Sequence, residues 1–410
     1  MAFQFRQHTL SNGLTIIAEV DPKAHTAAAG FYVKTGARDE RPELMGVSHF
    51  LEHMMFKGTH DLTADELNRG FDGLGARNNA FTSNEMTCFF AHVLPEYTGQ
   101  CLDLLGRMMR PALRQADFDT EKGVILEEIA MYADQPFWML YEHAVEKHFG
   151  DSALSHRVLG TVKTITDLQR DAMQSYFDAR YSADNTLLAL AGNIDFEKVC
   201  DQAEKLCGNW QRTRVSRSNT KPRYAGGEFS ISNEKVTRGY LLGLADAPAT
   251  SDPRRYAASM LSYILGGSDN SRLHWALIEP GHAEEASASY DPHDGFGEYY
   301  LYASCDPARV DQVWSIIREQ LRLLPDSITQ DDLDRLLVKT VTAATLGGER
   351  PADRMHRLGR LWTYLAEYMP LEEELDRMSK VTVADLKRVA AEFPVEPITY
   401  GRLMPAGNAQ

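Results

Sequence analysis

Two histidines and a glutamate stand at the spacing that metal-assisted hydrolysis requires: His49-Phe50-Leu51-Glu52-His53. On an α-helix, residues three and four apart share a face, so both imidazoles can reach one ion with Glu52 beside them. Two His plus a carboxylate from elsewhere leave Zn²⁺ an open fourth position, the arrangement of catalytic rather than structural zinc. Water there becomes a hydroxide source near neutral pH, and an adjacent carboxylate can take its proton. Phe50, Leu51, Met54 and Met55 supply apolar anchoring for the same helix. A helix with two unrelated histidines would read the same, so the motif has to be weighed against the rest of the chain.

A third ligand is available downstream. Asp117–Tyr132 reads as a helix with Val124, Ile125, Leu126 and Ile129 as its apolar side. Glu121 and Glu128 lie two turns apart on one face. Either Glu128 or Glu127 could complete the metal site, and only one of them can point the same way as Glu121. A solvated acidic face is the plainer reading of these three carboxylates taken alone.

The elements around these residues follow from periodicity. Leu14–Val20 and Ala27–Val33 read as strands around Asp21-Pro22, and the motif helix ends near Lys57-Gly58. Thr63 to Glu66 forms a capping-box pattern that opens a short helix. In Arg77–Phe90 the second half is β-rich, and the first half is polar and small, as suits a strand with an open edge. Such an edge can accept an extended peptide as an extra strand; an ordinary strand covered by a loop is the alternative. Helices are expected over Leu94–Met109, Phe137–Phe149, Asp167–Phe177 and Phe196–Leu206, and a buried strand over Thr186–Gly192. His143, His148 and His156 have no ligand spacing to one another and read as surface or core histidines.

Five basic residues (Arg212, Arg214, Arg217, Lys221, Arg223) with no acid between Gln211 and Ala225 mark an interdomain linker over 211–225. It separates a domain over 1–210 from one over 226–410. The second half repeats the plan of the first: strand Tyr240–Leu244, helix Arg254–Leu265, strand Tyr299–Ala303, then helices near 310–324, 329–347 and 383–393. With Gly58 set against Gly266, His49, Glu52 and His53 fall opposite Ala257, Met260 and Leu261. The second copy keeps the helix and lacks the metal chemistry.

The 410 residues, 43% hydrophobic and 10% aromatic, are those of a globular chain of two or three domains. No apolar run reaches the length of a membrane span, and the first residues hold no secretory h-region. The cytoplasm is therefore the expected compartment, or the periplasm if a signal has been removed. A net charge of −15 argues against a nucleic-acid binder and favours basic, unfolded peptide ligands. The five scattered cysteines contain no C-x-x-C and read as buried thiols.

Taken together, His49–Thr59, Asn79-Ala80-Phe81-Thr82-Ser83, Glu121–Glu128, Leu159-Gly160-Thr161, Tyr181–Asn185 and Ala191–Asp195 resemble, in order, blocks of the inverted-motif (H-x-x-E-H) zinc peptidases related to pitrilysin, insulysin and the mitochondrial processing peptidase. The resemblance implies an α+β fold of two similar domains, each a mainly antiparallel sheet with helices on one side, together half of a clamshell. It implies Zn²⁺ held by His49, His53 and Glu128, with Glu52 as general base and Glu121 orienting a His ligand. Asn79, Ala80 and Phe81 would line the substrate edge. One departure stands out. The family's Arg and Tyr that hold substrate and oxyanion fall here on Ile278 and Glu285, after Gly266–Leu273. The expectation is a heterodimer whose partner, a paralogous subunit, supplies that pair. A homodimer using His282 or Arg272, or a non-catalytic assembly subunit, are the alternatives.

Overall fold

The computed structural model describes residues 3–217, 221–267 and 269–407. Residues 218–220 of the basic linker and Ser268 of the glycine-serine block lie outside the described residues. The chain divides into two compact units: Met1–Ile129, His156–Ser218 and Thr345–Met369 in the first, and Ala130–Ser155, Asn219–Ala344 and Pro370–Gln410 in the second. This differs from a linear division at 210/226, because each unit contains a helical segment from the other half of the sequence.

The first unit is built on a six-stranded sheet. Its strands are β1 (Gln4–Thr9), β2 (Thr15–Val20), β3 (Ala27–Val33), β4 (Arg77–Thr82), β5 (Thr87–Val93) and β6 (Thr186–Gly192), in the order β1-β2-β6-β3-β5-β4. Only β2 and β6 pair in parallel; the other pairs are antiparallel. β3 and β6 are buried along their whole length, which is why both read as near-continuous apolar runs. Side chains alternate between faces along each strand. Ala29, Phe31, Val33 and Leu190 join the main core with the motif helix. Ala28, Tyr32, Ala189 and Ala191 meet Met355 and Leu358 of helix Pro351–Leu365 on the opposite face. Gly359 allows that helix to close on the sheet, since a Cβ there would lie 2.3 Å from the Tyr32 ring.

The second unit repeats the plan with β7 (Gly227–Asn233), β8 (Gly239–Ala247), β9 (Glu285–Pro292), β10 (Gly297–Cys305) and β11 (Thr399–Pro405), in the order β7-β11-β8-β10-β9. Helix Pro136–Phe149 covers one face through Leu140, Ala144 and Phe149, against Leu242, Leu244 and Leu403. The other face packs on the remaining helices, including Arg255–Gly266, which buries Ala257, Met260 and Leu261. Where the first unit needs polar ligands, its counterpart holds core side chains.

Several expectations were too simple. β1, β7, β9 and β11 were not anticipated. β1 and β9 carry few large apolar side chains, whereas β7 alternates over only a few residues and β11 is a buried interior strand interrupted by Gly401 and Arg402. The helix expected over Asp167–Phe177 runs Arg170–Arg180, and a short helix over Val162–Asp167, which was not anticipated, precedes it. The described start of the basic linker is tied down: Arg217 bonds the Asp39 carboxylate and the Glu85 carbonyl. All five cysteines are buried and free. Among the described residues no helix is long and apolar enough to cross a membrane.

Candidate metal centre

The motif helix spans Val47–Met55. It starts at Gly46, whose φ of 94° lies in the left-handed region, and a Cβ there would lie 2.7 Å from the Leu159 carbonyl oxygen. Glycine is therefore required on both counts. The first turn has N–H groups without intrahelical partners. Gly46 N–H donates to Glu40 Oε2 at 2.7 Å and Ser48 N–H to Glu40 Oε1 at 2.8 Å. Ser48 Oγ meets the Tyr176 hydroxyl at 2.7 Å, which in turn meets Thr35 Oγ1 at 2.9 Å. Phe50, Leu51, Met54 and Met55 are buried, so the helix is fixed by its apolar face and presents His49, Glu52 and His53 on the other.

The third-ligand helix runs Gln115–Ala133. Phe118 stacks on Phe50 at 4.7 Å between centroids, a contact worth about 0.5–1.5 kcal/mol beyond its burial. That contact sets the two helices face to face. Glu128 Oε2 then lies 3.8 Å from His49 Nε2 and 3.6 Å from His53 Nε2. Glu127 is exposed and Glu128 half-buried, so the geometry selects Glu128. One donor atom from each of His49, His53 and Glu128 lies within 4.8 Å of the others, the one such group of three among the described residues. Two ligands of a tetrahedral zinc, each about 2.0–2.1 Å from the ion, stand about 3.3 Å apart. The observed separations fit that ion with small adjustments.

The electrostatics suit it as well. Burial, with the nearby His53, pushes His49 down to about 3, keeping it in the neutral form that ligates metals. His53 is raised: burial opposes its charge, but the Glu121 hydrogen bond and the Glu128, Glu121 and Glu52 carboxylates outweigh it. His53 Nδ1 donates to Glu121 Oε1 at 2.9 Å, which leaves Nε2 as the ligand atom. Glu121 is buried and ion-paired through Oε2 with Lys57; burial raises its pKa, yet His53 and Lys57 hold it low. Burial raises Glu52, against a hydrogen bond that Thr82 Oγ1 donates to its Oε2.

Asn79, Ala80 and Phe81 lie on β4, at the sheet edge. Asn79 and Phe81 are exposed on one face, while Ala80 is half-buried against the main core. Sequence reasoning missed Glu40, Lys57 and Thr82. The i+4 spacing of Lys57 from His53 and the shared parity of Thr82 with Ala80 were available signals; Glu40 had none. His143, His148 and His156 stay outside the cluster: Nδ1 of each meets Met139 O, Thr399 Oγ1 and Ala37 O respectively. In the second unit, Ile278 is half-buried in a π-turn, Glu285 is exposed at the start of β9, and Arg272 is committed to Asp332 Oδ2 at 2.7 Å and Ser327 O at 2.9 Å.

Glu40 gives a pH test. Burial pushes its carboxyl up to about 8, against the pull of the Ser48 and Gly46 N–H groups. A raised native pKa favours the protonated folded state. The stability tied to it is complete below the ordinary carboxylate range and is lost as pH rises through about 8. Metal-free Glu40→Gln is therefore expected to lose less thermal stability than wild type between about pH 5 and about pH 8.5. Parallel stability curves for the two proteins would contradict this.

The family description "Insulinase (Peptidase family M16)" matches residues 15–162, and "Peptidase M16 inactive domain" matches residues 167–337. An uncharacterized zinc protease of Streptomyces coelicolor is 32% identical over 94% of this chain and 86% of its own length. The uncharacterized zinc protease YmxG of Bacillus subtilis is 29% identical over 98% of this chain and 99% of its own. Among solved structures, a protease from Helicobacter pylori superposes with a TM-score of 0.91 at 20% identity, covering 99% of this chain and 100% of that one. A peptidase M16 inactive domain from Pseudomonas fluorescens gives 0.88 at 17% identity, covering 98% of each. Both share the fold of this chain.

Proposed function

This chain belongs to the insulinase (M16) family of peptidases, and on that premise we propose that it is the zinc-bearing subunit of a metalloendopeptidase. The carrying observation is the convergence of His49, His53 and Glu128, with Glu52 beside them and outside the ligand set. These three residues would hold Zn²⁺, and Glu121 would fix the ring of His53. The ion, when bound, supplies an acidified water and a positive charge for the developing oxyanion. Glu52 takes the proton from that water and returns it to the leaving amine. The open edge of β4 binds the peptide through main-chain hydrogen bonds, with little regard for sequence. The net charge of −15 favours basic, unfolded peptides.

The positions of Ile278 and Glu285 offer no cationic or phenolic donor, and Arg272 is held by Asp332. The missing Arg and Tyr would come from a paralogous subunit that lacks the zinc motif. Adding that subunit to the purified chain should raise turnover of a fluorogenic peptide by at least ~100-fold, the scale of a restored oxyanion donor. Full activity from the chain alone would instead support a homodimer with another donor, such as His282. Zinc binding with no turnover in any pairing would support a non-catalytic assembly subunit.

A further inference from the structure

β4 has a property that neither the family match nor the metal cluster explains: one of its residues faces both the open edge and the base. Ser83 N–H donates to Met86 O at 2.9 Å and closes the β4–β5 hairpin. Counting back from that bonded pair, antiparallel alternation makes Phe81–Cys88 and Asn79–Phe90 bonded pairs and leaves Thr82, Ala80 and Asn78 with main-chain groups turned outward. The Ala80 N–H agrees, because it is taken by Asn79 Oδ1 at 2.9 Å rather than by β5. An added peptide strand would therefore meet the main chain of Asn78, Ala80 and Thr82. The side chain of Thr82 points elsewhere, donating through Oγ1 to Glu52 Oε2.

The mount of Thr82 is stiff. Ser83 Oγ accepts from the Glu85 and Met86 N–H groups inside the turn. From outside, Ala37 N–H donates to Ser83 O at 3.2 Å and Arg38 N–H to Asn84 O at 2.9 Å. Buried Arg38 and Glu85 form an ion pair, and Arg217 holds the Glu85 carbonyl at 2.6 Å. A Cβ at Gly36 would lie 2.3 Å from Ser83 O, so this segment is pressed directly against the turn. The same segment continues into Glu40, which caps the motif helix. One short stretch thus sets the register between the helix that carries Glu52 and the strand that carries Thr82.

We propose that Thr82 is a positioning residue: its hydroxyl fixes one oxygen of Glu52, leaves Oε1 to face the attacking water, and ties the base to the strand on which the peptide lies. This rests on the reading of Glu52 as general base. A carboxylate misplaced by about 1 Å costs on the order of 10²-fold in rate, whereas edge binding itself uses main-chain groups that a side-chain change leaves in place.

The test compares wild type, Thr82→Val and Thr82→Ser, each zinc-loaded and with the partner subunit present, on a quenched fluorogenic Arg-rich peptide. Thr82→Val keeps the β-branched shape and should keep zinc content and melting temperature. Its kcat should fall about 10- to 100-fold with KM within about threefold, and Thr82→Ser should recover most of the loss. A crystal structure of zinc-loaded Thr82→Val reads the contact directly, and Glu52 should be turned away or spread over several orientations. Wild-type kcat in Thr82→Val, a loss confined to KM, or Glu52 held in its wild-type orientation would overturn the proposal. A wild-type protein that takes up no zinc would count against the peptidase reading, and the orientation of Glu52 in crystals of the metal-free wild type and metal-free Thr82→Val would still decide the role of Thr82.

Discussion

Glu52→Gln is expected to bind zinc as wild type does and to lose roughly 10²–10⁴-fold in peptide turnover, the usual contribution of a general base. The amide has the size and shape of the carboxylate, and its carbonyl can still accept from Thr82 Oγ1. The metal ligands are untouched, since Glu52 stands outside the His49, His53 and Glu128 group. What the amide cannot do is accept a proton from water. Burial already raises the carboxyl above its ordinary value, bringing it nearer the pH at which a base works best. Elemental analysis and turnover measured on the same preparation separate the outcomes. Loss of zinc would make Glu52 part of the metal site, and unchanged turnover would remove it from the chemistry.

The second large effect distinguishes three glutamates on one helix. Glu128→Gln should abolish zinc binding, because it replaces the anionic ligand that faces both imidazoles at 3.8 and 3.6 Å. Glu121→Gln should weaken zinc about 10- to 100-fold, the usual cost of losing the group that orients a ligating imidazole. It removes the carboxylate that His53 and Lys57 share. Glu127→Gln, exposed and turned away, should leave affinity unchanged. Competition against a zinc-sensitive fluorescent chelator gives all three values. Equal losses at Glu127 and Glu128 would mean the helix is rotated from the orientation described.

Much of this site could be read in the sequence because helix spacing acts locally. His49, Glu52 and His53 share a face by periodicity alone. The Thr63–Glu66 capping box also forms as its pattern requires, with Glu66 N–H on Thr63 Oγ1 at 3.2 Å and Thr63 N–H on Glu66 Oε2 at 2.8 Å. The choice between Glu127 and Glu128 was not local. Their side chains differ by about one hundred degrees around the helix, and only packing, here Phe118 on Phe50, says which of them faces the histidines. Thr82 on Glu52 and Glu40 on the Gly46 and Ser48 amides join residues distant in sequence, and no spacing rule connects them.

The exchanged helices were hidden for a related reason. Pro136–Phe149 and Pro351–Leu365 each show an apolar face, but a face does not say which sheet it will cover. The linear domain bounds placed Pro136–Phe149 with the first domain and residues 351–365 with the second, and the second of these helices was not anticipated at all. The missed strands fail differently. β1 lies at a sheet edge with one apolar side chain among mostly exposed polar ones, so it lacks the apolar alternation that reveals a half-buried strand. β7 does alternate, with Phe229 and Ile231 half-buried between exposed Glu228, Ser230 and Ser232, but over too few residues to stand apart from the linker before it.

The most direct test of the zinc centre is anomalous diffraction from crystals of the zinc-loaded chain, measured on both sides of the zinc absorption edge. The expected result is one strong peak within bonding distance of His49 Nε2, His53 Nε2 and the Glu128 carboxylate, with Glu52 close by and unbonded. No peak at saturating zinc, or a peak held by other residues, would contradict the account.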